Sequence, residues 1–241
     1  MRTSLTLALA AATALAAATA QAQQYDELPT INPTATYTTD NGEEESEDYS
    51  GNAPLAGRFE ANPENVGDYT ANYEWHFTKE GETEPYLIRY EQDTQYTFNE
   101  AGTHNIELYA TFINGNDTVA YTQEYWADRG PLRVTVSESR LEMPNAFSPN
   151  GDGINDIYKA KSDYQSIVEF HASIYNRWGK KLYEWNDPAG GWDGKSGGKD
   201  VAQGVYFVLV KARGADGKEY NIKRDVNLLR GYTEESGGIS N

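Results

Sequence analysis

The chain has no cysteine among its 241 residues, and it has only three histidines, His76, His104 and His171. The absence of cysteine excludes disulfides, cysteine nucleophiles and thiolate metal sites, so hydrophobic cores alone must hold any folded part together. No G-x-S-x-G, H-E-x-x-H or phosphate-loop motif occurs, and no histidine has a companion Ser or carboxylate at a motif spacing. The sequence therefore predicts a protein that is not an enzyme and needs no cofactor.

Long apolar runs are also missing, apart from one near the start of the sequence. Arg2 precedes Leu5–Ala18, which is almost purely Leu, Ala and Thr, and Ala20-Gln21-Ala22 follows as a small-x-small cleavage site. The run is shorter than the about 20 residues of a transmembrane helix. We predict a secretory signal peptide over residues 1–22 and export of the mature chain through the inner membrane.

Basic residues are rare in the first half of the mature chain. Residues 23–139 hold 23 Asp and Glu but five Lys and Arg, whereas residues 140–241 hold 14 of each kind. Such different charge balances predict two modules. A net charge of −18 in the first half repels phosphate backbones, which argues against nucleic acid as a partner. Two explanations of this acidic charge stay open, namely solubility of the protein and attraction of cations or basic partners.

Residues 23–52 contain few core-forming side chains and include the acidic run Gly42–Asp48. This composition predicts an extended acidic arm. The alternative, that the segment becomes an edge strand of the following module, stays open.

Residues 53–139 show the alternation of β-strands. Apolar side chains at Tyr73, Trp75 and Phe77 alternate with polar ones, and the pattern recurs from Ile106 to Phe112. The Asn114–Asp117 turn favours a hairpin. Short strands separated by turns predict a β-sandwich.

Residues 140–231 form the second predicted module. Val168, Phe170, Ala172 and Ile174 share one face of a strand, and Val205–Val210 is apolar on both faces, as in a central strand. No stretch outside the signal peptide has a sustained helical period, so the predicted fold is all-β, with two Ig-like or PKD-like sandwiches in tandem. Residues 232–241 are predicted to be a flexible tail.

Five motifs follow one another in the second module. They are Pro144-Asn145-Ala146-Phe147-Ser148-Pro149-Asn150-Gly151-Asp152-Gly153-Ile154-Asn155-Asp156, Asn176-Arg177-Trp178-Gly179, Gly190-Gly191-Trp192-Asp193-Gly194, Gly204-Val205-Tyr206-Phe207-Val208 and Val226-Asn227-Leu228-Leu229-Arg230. In this order they resemble the gliding-motility-associated C-terminal domain, the type B sorting domain of type IX secretion in Bacteroidota, over residues 141–230. The resemblance implies delivery to the cell surface or outer membrane. It also implies two partners, the type IX translocon and an outer-membrane barrel of the PorP/SprF family.

A second resemblance covers residues 53–138. The passage Tyr96–Ile106 and the strand Tyr73–Phe77 are similar to PKD-type domains, although the usual Asp-Phe-Gly-Asp-Gly turn is missing. It supports a sandwich more than any activity.

Three side-chain predictions follow from the motifs. Asn150, Asp152, Asn155 and Asp156 suggest a cation loop, with calcium as the ion, but the EF-hand spacing fails and a self-capped turn is favoured. Arg177 is expected to stack on a Trp and pair with Asp193, so that the two aromatic turns pack together; alternatively, these turns form the surface that the secretion machinery reads. Thr118 in Asp117-Thr118-Val119 matches an O-glycosylation pattern implied by the same lineage.

Two function hypotheses remain. One is a surface structural protein tethered through its C-terminal domain within a secretion or attachment complex. The other is a surface adhesin, or a cargo that binds glycans or other surface proteins through its PKD-like module.

Overall fold

The computed structural model describes residues 28–39 and 41–231, and it consists almost entirely of β-strands. The all-β prediction is confirmed. The predicted signal peptide and tail lie outside the described residues. The elements are β1 (Thr34–Thr39), β2 (Gly42–Glu45), β3 (Asp48–Gly51), β4 (Leu55–Glu60), β5 (Thr70–Lys79), β6 (Leu87–Arg89), β7 (Thr94–Phe98), β8 (Gly102–Asn114), β9 (Asp117–Tyr121), α1 (Gln123–Arg129), β10 (Leu132–Val136), β11 (Ala146–Phe147), β12 (Ile167–Tyr175), β13 (Lys181–Trp185), β14 (Lys195–Ser196), β15 (Lys199–Asp200), β16 (Gly204–Gly214) and β17 (Glu219–Leu228).

The first core lies between two sheets. One has the order β2-β1-β4-β7, and the other has the order β3-β10-β8-β5-β6, with β9 paired to β8. Trp75 and Phe77 on β5 are fully buried, as are Ile106, Leu108 and Phe112 on β8. The alternation of apolar residues had placed all of these side chains inward, because successive side chains of a strand point to opposite faces.

The predicted extended arm is wrong for residues 34–39 and 41–51, which form three strands of this sandwich; the alternative of an edge strand is the one that the structure shows. β1 pairs with β4, and β3 pairs in parallel with β10. Tyr37 is fully buried, and its ring stacks on that of Tyr49 at 4.4 Å between centroids. These two aromatic residues give the segment the apolar contact that its acidic composition concealed.

The acidic run itself forms the edge strand β2, in which Glu43, Glu44 and Glu45 are all exposed. An edge strand offers unpaired backbone groups to other chains, and charged side chains discourage that pairing. The run therefore has a physical role within the sandwich.

A short helix, α1, interrupts the otherwise all-β pattern. The buried Trp126 indole N–H donates to the Leu108 carbonyl at 2.8 Å. A helix of seven residues is too short for its period to show in the sequence.

The second core lies on one face of a five-stranded sheet of order β11-β17-β16-β12-β13. The segments 141–165 and 186–203 cover that face, and they contribute Leu141, Met143, Phe147, Tyr158 and Trp192 to the core. The opposite face of the sheet is open to solvent, because Val205, Phe207 and Leu209 on the central strand β16 are exposed.

The two cores meet at the end of β16 that contains Gly214. Ala215 is buried against the first core, and its carbonyl accepts the Ala101 N–H at 3.0 Å. The Ser166 Oγ accepts the Ala53 N–H at 3.1 Å. Val168 also contacts the first core, because a bulge between Ile167 and Glu169 breaks the predicted alternation. We call this end of the sheet the junction end.

Candidate functional site

The sequence motifs gather at the other end of the sheet, which we call the distal end. It contains Gly204, where β16 begins, Leu228, where β17 ends, and Tyr175, where β12 ends. The length of β16 places this end roughly 35 Å from the junction end. The fold thus separates the motif residues from the first module.

Trp192 is the packing centre of the distal end and is fully buried. Its ring lies 5.3 Å from that of Phe147 and 5.2 Å from that of Tyr206. Its backbone exchanges two hydrogen bonds of 2.9 Å with Tyr158. The preceding Gly191 permits this approach, because a Cβ there would lie 2.5 Å from the Tyr158 carbonyl oxygen.

Arg230 joins two further loops to this centre. Its guanidinium donates to the carbonyls of Val201 at 3.0 Å and Gly194 at 2.7 Å, and it lies 3.4 Å from the Asp200 carboxylate. Gly194 has a φ of +78°, which only glycine adopts readily. The Trp192-Asp193-Gly194 motif and Arg230 therefore fix the geometry of one loop cluster.

The first motif adds a short edge strand to the sheet. β11 pairs in parallel with β17, the Asn145 carbonyl accepts the Asn227 N–H at 2.9 Å, and the Phe147 carbonyl accepts that of Leu229 at 3.0 Å. The Tyr158 hydroxyl donates to the Pro144 carbonyl at 3.0 Å. Sequence reasoning did not single out Tyr158, because its segment has no strand alternation to mark it.

The loop that follows is closed by its own carboxylates. The Asp156 carboxylate accepts the N–H groups of Gly151 at 2.7 Å and Gly153 at 2.8 Å, and these bonds hold the pKa of Asp156 below its usual value. The Asp152 carboxylate accepts the Ile154 N–H and the Asn150 side-chain amide, each at 2.8 Å. This is the geometry of the self-capped turn.

The same loop was the candidate cation site. Asn155 takes the left-handed conformation at φ +53°, and Asp152 and Asp156 bond to backbone amides as described above. Within residues 28–39 and 41–231, no group of three or more His, Cys, Asp or Glu side chains is arranged to hold a metal ion. Calcium binding by the loop remains an untested prediction.

The two aromatic turns do not pack against each other, so that prediction is wrong. Trp178 is 79% exposed at the tip of the β12–β13 hairpin, whereas Trp192 is fully buried. Arg177 stacks on its neighbour Trp178, with the guanidinium carbon 5.0 Å from the ring centroid. Asp193 instead lies 3.5 Å from the Lys195 ammonium.

The hairpin tip holds a defined conformation without that packing. The Asn176 Oδ1 accepts the backbone N–H groups of both Trp178 and Lys180 at 3.0 Å. Gly179 takes a φ of +77°. The Asn176-Arg177-Trp178-Gly179 motif therefore presents one exposed aromatic ring, covered on one face by an arginine.

One arrangement resembles a hydrolytic triad. His171 Nε2 lies 3.2 Å from the Ser173 Oγ, and His171 Nδ1 lies 2.7 Å from the Asn186 Oδ1. Ser173 is only 4% exposed, and its strand is paired on both sides by β13 and β16. A nucleophile needs access to its substrate and nearby free N–H donors, so this geometry is poorly suited to acyl transfer.

A match to a protein-family model agrees with the arrangement of these motif residues. Residues 141–224 match the family model of the CHU_C Type IX secretion signal domain. The sorting domain predicted from the five motifs is thereby confirmed. It marks the chain as a cargo of type IX secretion, exported to the cell surface or the extracellular space. No curated protein matches the chain.

Two further observations concern the exported protein. None of the helices in the described part of the chain has the length and apolar character that crossing a membrane requires. Thr118, the candidate glycosylation site, is exposed on β9. Its side chain is accessible, and its modification remains a prediction.

Proposed function

We propose that this chain is a non-enzymatic surface interaction protein, held at the outer membrane through the distal end of its C-terminal domain. The exposed Trp178 with Arg177 stacked on it is the observation that carries the proposal. A bare indole of this size is costly to leave in water, and Trp and Arg are enriched among residues that dominate binding interfaces.

The partner proposed for this tip is an outer-membrane barrel of the PorP/SprF family, after passage through the type IX translocon. The charge of the two modules supports this arrangement. The first module carries the acidic excess and the second has balanced charge, so the distal end approaches the membrane while the acidic module projects about one sheet length away. On this proposal, the attachment is the purpose of the chain.

A binding experiment tests the proposal. Trp178→Ala should reduce capture of the chain by purified outer membranes while leaving its melting temperature unchanged. The matched control is Tyr90→Ala, which removes a ring that is 70% exposed on the first module. Capture of the Trp178 variant at the level of the unaltered chain would refute the assignment of this tip.

A second candidate function is glycan binding by the first module. Tyr90 follows β6, and its chain neighbours Arg89 and Glu91 line a shallow depression of about 320 Å³ together with Arg58. An exposed ring beside charged hydrogen-bonding groups is suited to stacking on a sugar. A glycan-array signal that disappears in Tyr90→Ala and survives in Trp178→Ala would favour this function.

A further inference from the structure

The outer face of the C-terminal sheet carries an uncovered apolar stripe. Val205, Phe207 and Leu209 on β16 are 50%, 45% and 39% exposed, while Tyr206 and Val208 between them are buried. The solvent face of an antiparallel sheet is ordinarily polar. A row of apolar side chains on its central strand marks a surface that another molecule covers.

Two rows of side chains cross this face, as the strand register shows. Paired residues of neighbouring strands point to the same side of a sheet. The row nearer the distal end reads Asp225, Phe207, Tyr175 and Lys181 from β17 to β13. The next row reads Lys223, Leu209, Ser173 and Glu184.

The four corners of this patch alternate in charge. Asp225 and Lys181 end one row, and Lys223 and Glu184 end the other. Three strand spacings and two residue steps on β17 set the corners at about 14 Å by 7 Å. On β13 a register shift beside Tyr175 puts three residue steps between Lys181 and Glu184. Lys181 and Glu184 also pair with each other at 2.5 Å, which holds both at the edge of the patch.

We propose that this face is the contact between two copies of the chain. Two identical faces meet through a twofold axis in the plane of contact. If the axis runs along the strands, Asp225 meets Lys181 of the partner subunit, and Lys223 meets Glu184 of the partner subunit. If the axis runs across the strands, Asp225 meets Lys223 of the partner subunit.

Opposite charges therefore meet at all four corners for either axis. A face of one charge sign would suit an oppositely charged partner, whereas this face balances both signs and is complementary to itself. Between the corners, Phe207 would face Tyr175 of the partner subunit if the axis runs along the strands, and Leu209 of the partner subunit if the axis runs across them. Ser173 is buried and adds little to this contact. Sheets packed face to face lie about 10 Å apart, which is the spacing that interdigitating side chains of this size fill.

Sedimentation velocity on residues 23–241 tests the proposal. We expect a dimer whose fraction rises with concentration, and Phe207→Asp should weaken its association by more than about tenfold, as for other central apolar contacts. Phe207→Thr keeps a β-favouring residue and should also weaken association without lowering the melting temperature. Tyr90→Asp, on the first module, is the control and should associate normally.

Charge reversal then identifies the axis. Asp225→Lys alone places two like charges opposite each other in both arrangements, so it should weaken the dimer. Adding Lys223→Asp should restore association if the axis runs across the strands and weaken it further if the axis runs along them. A chain that stays monomeric up to about 1 mM, or a dimer indifferent to both Phe207 variants and to Asp225→Lys, would overturn the proposal. If the chain is monomeric and Phe207→Asp lowers its capture by outer membranes, this face binds a membrane partner rather than a second copy, and the proposal is overturned.

Discussion

Trp178 and Trp192 occupy opposite environments in the same domain. The first is 79% exposed with Arg177 stacked on its ring, and the second is fully buried between the rings of Phe147 and Tyr206. Two similar sequence motifs thus have different physical roles, one presenting an aromatic ring and the other filling a core.

The first prediction separates these roles by stability. Trp192→Ala should destabilise the domain by about 3–5 kcal/mol, because it leaves a large cavity and removes the hydrogen bond to the Lys195 carbonyl. Trp178→Ala should change the free energy of unfolding by less than about 0.5 kcal/mol, as exposed substitutions do. Thermal melts of both variants measure the difference, and similar losses in the two would contradict the structure.

The second prediction concerns calcium and the loop 150–156. We expect millimolar calcium to leave the melting temperature of the chain unchanged, because the Asp152 and Asp156 carboxylates already accept backbone or amide N–H groups. A bound ion at a hundredfold excess over its Kd would add about 2.7 kcal/mol. A calcium-dependent rise that Asp152→Asn and Asp156→Asn abolish would show that the ion displaces these hydrogen bonds.

The third prediction is a pH dependence from His104. Burial lowers the pKa of this imidazole, whose Nδ1 lies 3.0 Å from the Tyr86 hydroxyl and whose Nε2 lies 3.0 Å from the Glu100 carbonyl oxygen. The unfolded chain therefore takes up a proton near pH 6.5 while the folded chain resists it. Stability should be full above about pH 6.5 and fall as the pH drops through the lowered folded value.

Two variants test that assignment. His104→Asn should flatten the stability profile in this window, since the titrating group is gone. His171→Asn, at an exposed position of the second module, should keep the dependence of the unaltered chain. A profile unchanged in His104→Asn would mean that other groups control the acid sensitivity.

The fourth prediction concerns the junction. The Asp216 carboxylate accepts the Ser139 hydroxyl at 2.7 Å and the Ser139 N–H at 3.2 Å. Asp216→Ala should cost about 1–3 kcal/mol, because it leaves the buried Ser139 N–H without its acceptor, whereas the Ser139 hydroxyl keeps the Tyr220 hydroxyl at 2.9 Å. Residues 141–241 alone should still melt in one sharp transition, given their own core, but below the temperature of the same domain in the full chain. A broad melt would refute an autonomous second domain.

The fifth prediction concerns Ser173. A fluorophosphonate probe should not label the folded chain, because this hydroxyl is buried in a strand paired on both sides. Labelling that disappears in Ser173→Ala would reveal an activated nucleophile and overturn the non-enzymatic proposal.

The sequence determined the fold class and the family of the second domain. Strand alternation identified Trp75 and Phe77 on β5 and every second residue from Ile106 to Phe112 on β8 as core, because the two-residue period of a strand is a local property of the chain. The motif order identified the type IX secretion signal domain. Gly194 and Gly204 were identified as members of those motifs, and their positive φ angles of +78° and +152° came only from the structure.

Only the tertiary structure decided which of these residues face solvent. Trp178 and Trp192 belong to similar sequence motifs, and nothing local distinguishes a ring at a hairpin tip from one buried between two loops. Val205–Val210 was correctly placed at the centre of a sheet, yet within the part of the chain that the structure describes no layer covers its second apolar face. The acidic segment forms β1, β2 and β3 because the Tyr37 ring stacks on that of Tyr49 and because β1 and β3 pair with β4 and β10. Burial and strand pairing of this kind depend on which distant segments meet, and the local pattern of a sequence does not contain that information.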